Sequence, residues 1–320
     1  MVTALALVAL LSACGGSGDG AAGPPAPPPT PAAKISLTSS NYKNALTLSM
    51  GVASSAYSFA RLGVTIADQW LNVPLTFPVL ACPQGGTMSF DLSDKNGDRS
   101  LDPGDTLHLH WDGCKTTGAT ATGVVRVEVL TATQIPGGRD YQLTVTVSDL
   151  QLAVGSLPST TVNFIAQVHF QRTATANETT LTNAVFSSGQ VINDPGTSTI
   201  ALDYYQDYAT QIYQYTTNGS VTSNALGGEL DFSTPAAFAG VIGEYPSAGR
   251  LAVSGNAGSG ARLSEEGAAA ADVATVFAGV DTNGDGVIDA SESQLAWSGI
   301  VPVQLFADFA DQMQIAVPMP

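Results

Sequence analysis

The spacing of apolar residues changes once along the chain, and each spacing predicts one kind of element. Between residues 41 and 72, apolar side chains recur every three or four positions, which places them on one face of a helix. These positions are Ala45, Leu48, Val52, Ala56, Phe59, Leu62, Ile66 and Trp70. Ser39, Ser40 and Asn41 are all suitable N-cap residues. We therefore expect one helix over 41–72, packed against the edge or face of a sheet.

After residue 78, apolar and polar residues alternate, as in strands with one buried and one solvated face. The clearest runs are 107–111, 141–147 and 166–170. Turn signals between the runs, at 136–138, 194–196 and Asn218-Gly219, indicate hairpins. The expected fold is mainly β, with one N-terminal helix and an antiparallel meander that curls into a large sheet, a half-barrel or a sandwich. A subdivision near Pro235 is a weaker prediction.

The first residues predict an export signal. Residues 2–11 are apolar but too few to span a bilayer as a helix, and no Lys or Arg precedes them. The segment Leu11-Ser12-Ala13-Cys14 resembles the lipobox of bacterial lipoproteins. This resemblance implies a signal peptide over 1–13, cleavage before Cys14 and lipidation of its thiol. Gly15 then favours the outer membrane of the cell envelope, since inner-membrane retention favours Asp there.

The composition adds a tether and an acidic surface. Residues 14–33 are rich in Gly, Ala and Pro, so they form a spacer that has no core of its own. The remaining residues, 34–320, form the predicted β-rich domain. The chain has 11 basic and 27 acidic residues, a formal charge of −16. Such a charge disfavours nucleic acid and anionic lipid as partners, so a membrane is expected only through the lipid anchor, and cations are the natural complement.

Residues 281–292 match the EF-hand calcium loop at each diagnostic position. The predicted oxygen ligands are Asp281, Asn283, Asp285, the carbonyl of Val287, Asp289 and Glu292. Calcium takes six to eight oxygens, and alternate residues of a tightly turning loop point inward to supply them. Gly286 permits the sharp turn, and Ile288 is expected to pin the loop to the core. The pattern predicts a calcium ion as the cofactor.

Residues 94–105 repeat the pattern with two departures. The predicted ligands are Asp94, Asn96, Asp98, the carbonyl of Ser100, Asp102 and Asp105. This loop resembles dockerin-type loops, which also end in Asp. Arg99 stands where Gly is expected, and Asp105 is shorter than Glu, so the loop is predicted to be the weaker calcium site. Alternating runs flank it, so we expect strands rather than a helix pair around the loops, which favours a structural ion over a sensor.

The three cysteines and three histidines suggest further roles. If Cys14 carries lipid, Cys82 and Cys114 are left to pair as a disulfide around loop 94–105. His108 and His110 point to the same face of one strand, where a third ligand would complete a zinc site, although solvated histidines are the simpler interpretation. The tyrosines Tyr204, Tyr205, Tyr208, Tyr213 and Tyr215 either bind sugars or, as we prefer, pack in the sheet.

Taken together, the lipobox, the tether, the cysteine pair and the Asp-Thr-Asn-Gly-Asp-Gly segment resemble uncharacterised proteobacterial lipoproteins, a family that implies no activity. Recognisable nucleotide, protease and esterase motifs are missing from the sequence. The leading expectation is a non-catalytic, calcium-binding envelope lipoprotein with a structural or adhesive role and an unidentified protein partner. The alternative is a carrier of lipid or another apolar ligand. A calcium-dependent hydrolase is a third hypothesis, supported only by scattered acidic residues.

Overall fold

A computed structural model describes residues 32–70, 79–98, 100–115, 119–154, 159–191, 194–265, 275–289 and 293–300. The predicted signal peptide, Cys14, most of the tether, Arg99 and Glu292 lie outside these ranges. The described residues form one long helix, α1 (Tyr42–Trp70), followed by fourteen strands. The strands are β1 (Leu80–Ala81), β2 (Thr87–Ser93), β3 (Thr106–Lys115), β4 (Ala119–Ile135), β5 (Gly138–Val154), β6 (Thr160–Arg172), β7 (Ala176–Val191), β8 (Asp194–Asp207), β9 (Ile212–Ser223), β10 (Gly228–Val241), β11 (Ala248–Ser254), β12 (Gly260–Ser264), β13 (Thr275–Asp281) and β14 (Ser293–Ala296).

The strands form one antiparallel sheet in which each strand pairs with the next along the chain, from β1 to β14. The expectation of a mainly β meander with one N-terminal helix is therefore confirmed. Within the described residues, the edge strands β1 and β14 do not pair with each other, so the sheet is open. The sheet is also single, so the sandwich alternative is wrong. Hairpin connections explain the order, because a two-residue turn joins antiparallel neighbours at little cost in chain length.

Helix α1 lies against the curled sheet and touches strands β3–β9 and β11–β13. The predicted apolar stripe from Ala45 to Ile66 is buried, as expected. Residues on the other sides of the helix are buried as well: Leu46, Ser49, Met50, Ala53, Ser54, Tyr57, Ser58, Ala60, Val64 and Ala67. The prediction of a helix with one buried face was too narrow, because the sheet curls around α1. Small residues and serines permit this close approach, and two of the serines bond within the helix, Ser49 to the carbonyl of Ala45 and Ser58 to that of Ser54.

Three sequence signals proved to lie inside strands, and one of them, the predicted turn at 194–196, forms the start of β8. Asn218-Gly219, predicted as a turn, lies within β9, and its neighbours pair with β8 throughout. A Cβ on Gly219 would lie 2.0 Å from the carbonyl oxygen of Thr199, so glycine serves close strand approach here instead of a turn. Pro235 lies within β10, where the register shifts between Ser233 and Ala236. A proline cannot donate to the ladder, which accounts for a register shift at that point.

Aromatic rings form a continuous row across the later strands. Tyr204, Tyr213, Tyr215, Phe238, Trp297 and Tyr245 contact one another in that order, with ring centroids 5.2–6.4 Å apart. Tyr213 and Tyr215 are buried, whereas Tyr205 is exposed. The packing interpretation of this tyrosine group is therefore correct for the rings in the row. The buried Trp297 donates its indole N–H to Glu265, 2.6 Å away, which ties the end of β14 to the segment after β12.

No helix among the described residues combines the length and the apolar character that crossing a membrane requires.

Candidate metal centres

The two aspartate loops lie at opposite ends of the sheet. Loop 94–105 connects β2 to β3, and loop 281–292 follows β13 and precedes β14. Because successive strands alternate in direction, β2 and β13 run opposite ways and their carboxyl ends lie at opposite ends of the sheet. The helix agrees with this arrangement: Tyr42 near its start bonds Ser293 of β14, and Asp68 near its end pairs with Arg139 of β5. The expectation that strands flank both loops is confirmed, and the two candidate centres are separate.

In loop 281–292, acidic and amide side chains accept backbone N–H groups, which fix the turns of the loop. Asp281 ends strand β13 and is largely buried, and its two carboxylate oxygens accept the N–H groups of Gly284 and Gly286, both at 2.7 Å. Asn283 and Asp285 each accept the N–H group two residues later, at 2.8 Å. Loop positions one, three and five therefore each bond to the backbone a few residues farther along, as Asx turns do.

The far side of this loop is held by Asp289. Its N–H group donates to the carbonyl of Val280, 2.9 Å away, which joins the loop back to β13. Hydrogen bonds from the side chain and backbone of Thr282 hold the pKa of Asp289 below its usual value, so the side chain is an anion at neutral pH. The amide of Asn283 donates to Asp285 at 3.1 Å and to Asp289 at 3.4 Å. Positions three, five and nine of the loop thus converge.

Two further features of loop 281–292 bear on its predicted pattern. Gly286 has φ +86°, the left-handed conformation for which glycine is expected at this position. Ile288 is half-buried, so it covers less of the core than predicted, while Val287 beside it is exposed. Glu292, the predicted closing ligand, lies outside the described residues.

Loop 94–105 has the same internal arrangement. Asp94 accepts the N–H group of Gly97 at 2.6 Å, Asn96 accepts that of Asp98, and Asp98 accepts that of Ser100 at 2.7 Å. The amide of Asn96 donates to Asp98 at 3.2 Å and to Asp102 at 2.9 Å. In both loops, the amide at position three thus donates to the side chains at positions five and nine. Sequence spacing alone implied this symmetry, and the contacts now describe it atom by atom.

The end of loop 94–105 is anchored more firmly than its start. Asp105 is fully buried, and its carboxylate accepts the N–H groups of Lys95 at 2.9 Å and Asp102 at 2.8 Å. The backbone of Gly104 and Asp105 bonds Val129 of β4 in both directions. Leu101 is buried, as predicted for the pinning position. The predicted disulfide joins Cys82 to Cys114, whose Cα atoms lie 5.4 Å apart, at the other end of the β2–β3 hairpin.

A different cluster lies on the outer face of the β2–β3 hairpin. Register places Asp91 of β2 directly opposite His108 of β3 and diagonal to His110. One ligand atom from each of the three residues lies within 4.8 Å of the other two. Burial lowers the pKa of His108, and the positive charges of Arg126 and His110 act in the same direction. The sequence indicated the two histidines; Asp91 was missed because cross-strand register is not visible in the sequence.

Comparison with known proteins found no match for this chain among family models, curated proteins or solved structures.

Proposed function

We propose that this chain is a non-catalytic calcium-binding lipoprotein of the bacterial cell envelope, in which calcium stabilises two strand connections in a structural or adhesive protein. The main support is the convergence of loop positions three, five and nine in both loops, through Asn283 in one and Asn96 in the other. Two loops far apart in the sheet share one atomic arrangement and one ligand spacing. A common ligand explains the coincidence better than two unrelated polar turns.

The chemistry of the side chains favours calcium among the metals. Both predicted ligand sets consist only of oxygen atoms, from carboxylates, amides and backbone carbonyls. Hard cations prefer such sets, whereas zinc and copper favour sulfur and imidazole. Magnesium requires near-ideal octahedral geometry and gives up water reluctantly, so a flexible loop with six or more oxygens suits calcium better.

The flanking elements favour a structural ion over a sensor. Sensor EF-hands work by opening a pair of helices, and here β2, β3, β13 and β14 flank the loops. A bound ion would fix the ends of two hairpins and would offer no helix pair to move. Extracellular modules bind calcium with dissociation constants of about 10⁻⁴–10⁻³ M, a range suited to the cell envelope.

Two features support an exported, membrane-anchored protein. The disulfide between Cys82 and Cys114 belongs to an oxidising compartment, and this pairing leaves Cys14 of the lipobox for lipid. The alternative function, a carrier of lipid or another apolar ligand, has weaker support. Helix α1 packs against ten strands of the sheet and is buried along most of its surface, where an apolar ligand would otherwise bind.

Thermal unfolding of the full chain in detergent tests the proposal. Calcium should raise the melting temperature relative to EGTA, because a ligand that binds only the folded state stabilises it by about 2.7 kcal/mol at a concentration of 100 Kd. Magnesium at equal concentration is the control and should have a smaller effect. An unchanged melting temperature at millimolar calcium would overturn the proposal.

A further inference from the structure

The outer face of the β2–β3 hairpin carries a set of metal ligands unlike that of the loops. His108 and His110 point outward from β3, and Asp91 points outward from the facing strand β2. The three residues belong to two strands of a sheet, so backbone hydrogen bonds already hold their positions. Binding an ion would therefore cost these three side chains little conformational entropy.

The environment of His110 points to a ligand. Its Nε2 atom is shielded from solvent and makes no hydrogen bond with any described residue. Yet Nε2 lies only 3.1 Å from a carboxylate oxygen of Asp91. The two atoms are close enough for an ion pair when His110 is protonated but are not aligned for a hydrogen bond, so a neutral imidazole keeps its nitrogen lone pair for a metal ion.

The spacing fits a tetrahedral ion. With metal–ligand bonds of about 2.0–2.1 Å, neighbouring ligand atoms of a zinc site lie about 3.4 Å apart. The 3.1 Å separation of His110 from Asp91 is close to that value, and the His108 ligand atom lies within 4.8 Å of both. A small side-chain rotation of His108 would complete three corners of the tetrahedron, and water would take the fourth.

We propose that Asp91, His108 and His110 bind a divalent transition-metal ion of the zinc class. Two imidazoles and one carboxylate suit zinc, copper or nickel and do not suit calcium. Arg126, whose positive charge acts on His108, faces it across the β3–β4 pair but forms an ion pair with Glu128 at 3.0 Å, which reduces its repulsion of the metal. The ion joins β2 to β3 midway between loop 94–105 and the disulfide.

The chain contains its own control for this site. His169 of β6 lies 3.0 Å from Asp140 of β5, so it is also a half-exposed histidine beside a carboxylate on a facing strand. It lacks the second histidine, because the residue two positions before it is Gln167 and the residue two positions after it is Gln171. A pair of this kind offers too few ligands for firm zinc binding.

Calorimetric titration of zinc into the full chain, purified without a histidine tag and with calcium in excess, tests the proposal. Excess calcium occupies any oxygen-rich site, so the heat reports on the histidine cluster. The wild-type chain and H169A should bind one zinc ion per chain with equal affinity. H108A, H110A and D91N should each bind zinc more than about tenfold more weakly, since loss of an outer-shell partner alone costs about 10–100-fold.

Circular dichroism and the zinc-free melting temperature separate lost binding from lost folding, and the exposed position of Asp91 favours a folded D91N. Absence of zinc binding by the wild-type chain would overturn the proposal. So would equal zinc affinities of H108A, H110A and H169A. Weakening in the histidine variants with unchanged affinity in D91N would overturn the three-ligand site as well.

Discussion

The two aspartate loops share a ligand pattern but differ in what else holds them in place. Loop 94–105 lies inside the Cys82–Cys114 ring, and its last residue, Asp105, is buried and bonded to β4 through the backbone. Its four acidic residues are accompanied by Lys95 and Arg99, a formal charge of −2. Loop 281–292 has four acidic residues and no basic ones, a formal charge of −4, and the link from Asp289 to Val280 is its tie back to β13.

If both loops bind calcium as proposed, the same ligand pattern has a different energetic role in each. Under the proposed function, the disulfide and the backbone bonds of loop 94–105 should hold its hairpin with or without an ion. Under the same proposal, greater repulsion among the carboxylates of loop 281–292 should make that loop more dependent on a cation and should make the cation bind more tightly.

Removal of the disulfide should have the largest effect on stability. In C82S/C114S the free energy of unfolding should fall by about 3–4 kcal/mol, because the unfolded chain regains the entropy of a ring of about 33 residues. Denaturant unfolding of both proteins in calcium measures this change. The calcium-dependent stabilisation that comes from loop 281–292 should persist in the variant, since that loop lies at the other end of the sheet.

The matched control is the wild-type chain with reductant, which should approach the unfolding free energy of the variant. A loss below about 1 kcal/mol would mean that the ring contributes little, well under the entropy expected for its size. The predicted difference between loop 94–105, held by the disulfide, and loop 281–292, held by an ion, would then be wrong.

Matched substitutions at loop position five should separate the two centres. Asp285 and Asp98 are both exposed, so asparagine at either position removes a charge without disturbing the core. D285N should lose most of the about 2.7 kcal/mol that calcium at 100 Kd supplies, whereas D98N should lose no more than about 1.4 kcal/mol, the stabilisation given at 10 Kd. Melting temperatures with calcium and with EGTA measure both values.

In EGTA the two variants should be at least as stable as the wild-type chain, because each carries one repulsive charge fewer. A larger calcium-dependent loss in D98N than in D285N would reverse the assignment of the stronger site. Equal losses would show that the disulfide and the backbone bonds to β4 do not reduce the calcium-dependent stabilisation at loop 94–105.

Local pattern was sufficient to predict much of this fold. The alternation of apolar and polar residues predicted the sheet, and the spacing of apolar residues by three and four predicted α1 to within two residues at each end. The count of three cysteines, with Cys14 assigned to lipid, predicted the disulfide. Loop spacing placed Leu101 at a buried position, as expected. Each of these signals depends on residues close in sequence or on a count, so no knowledge of distant contacts was needed.

What the sequence did not predict depends on distant contacts. The burial of Ser54 and Tyr57 on the second side of α1 follows from the curl of a sheet whose strands lie far along the chain. Gly219 resembles a turn residue until the carbonyl of Thr199 on the facing strand is placed beside it. Asp91 becomes a partner of His110 through cross-strand register alone. Register is set by pairing along whole strands, so no short motif records it.

A reciprocal exchange at loop position six should have the smallest effect, and it tests the difference between the two loops most specifically. Gly286 has φ +86°, and a Cβ there would meet no atom within 4 Å, so G286R adds backbone strain of about 1 kcal/mol and one positive charge without a steric clash. R99G removes an arginine at the position where the loop pattern expects glycine. Calcium affinity should therefore fall about fivefold or more in G286R and rise by a similar factor in R99G.

Calorimetric calcium titration of each variant measures the two changes, and G286A separates strain from charge. Alanine at this position carries the backbone cost alone, so G286A should lie between the wild-type chain and G286R. If R99G left calcium affinity unchanged, backbone strain and charge at position six would not account for the weaker loop. The shorter Asp105, in place of a closing glutamate, would then be the remaining sequence difference among the predicted ligands, testable with D105E.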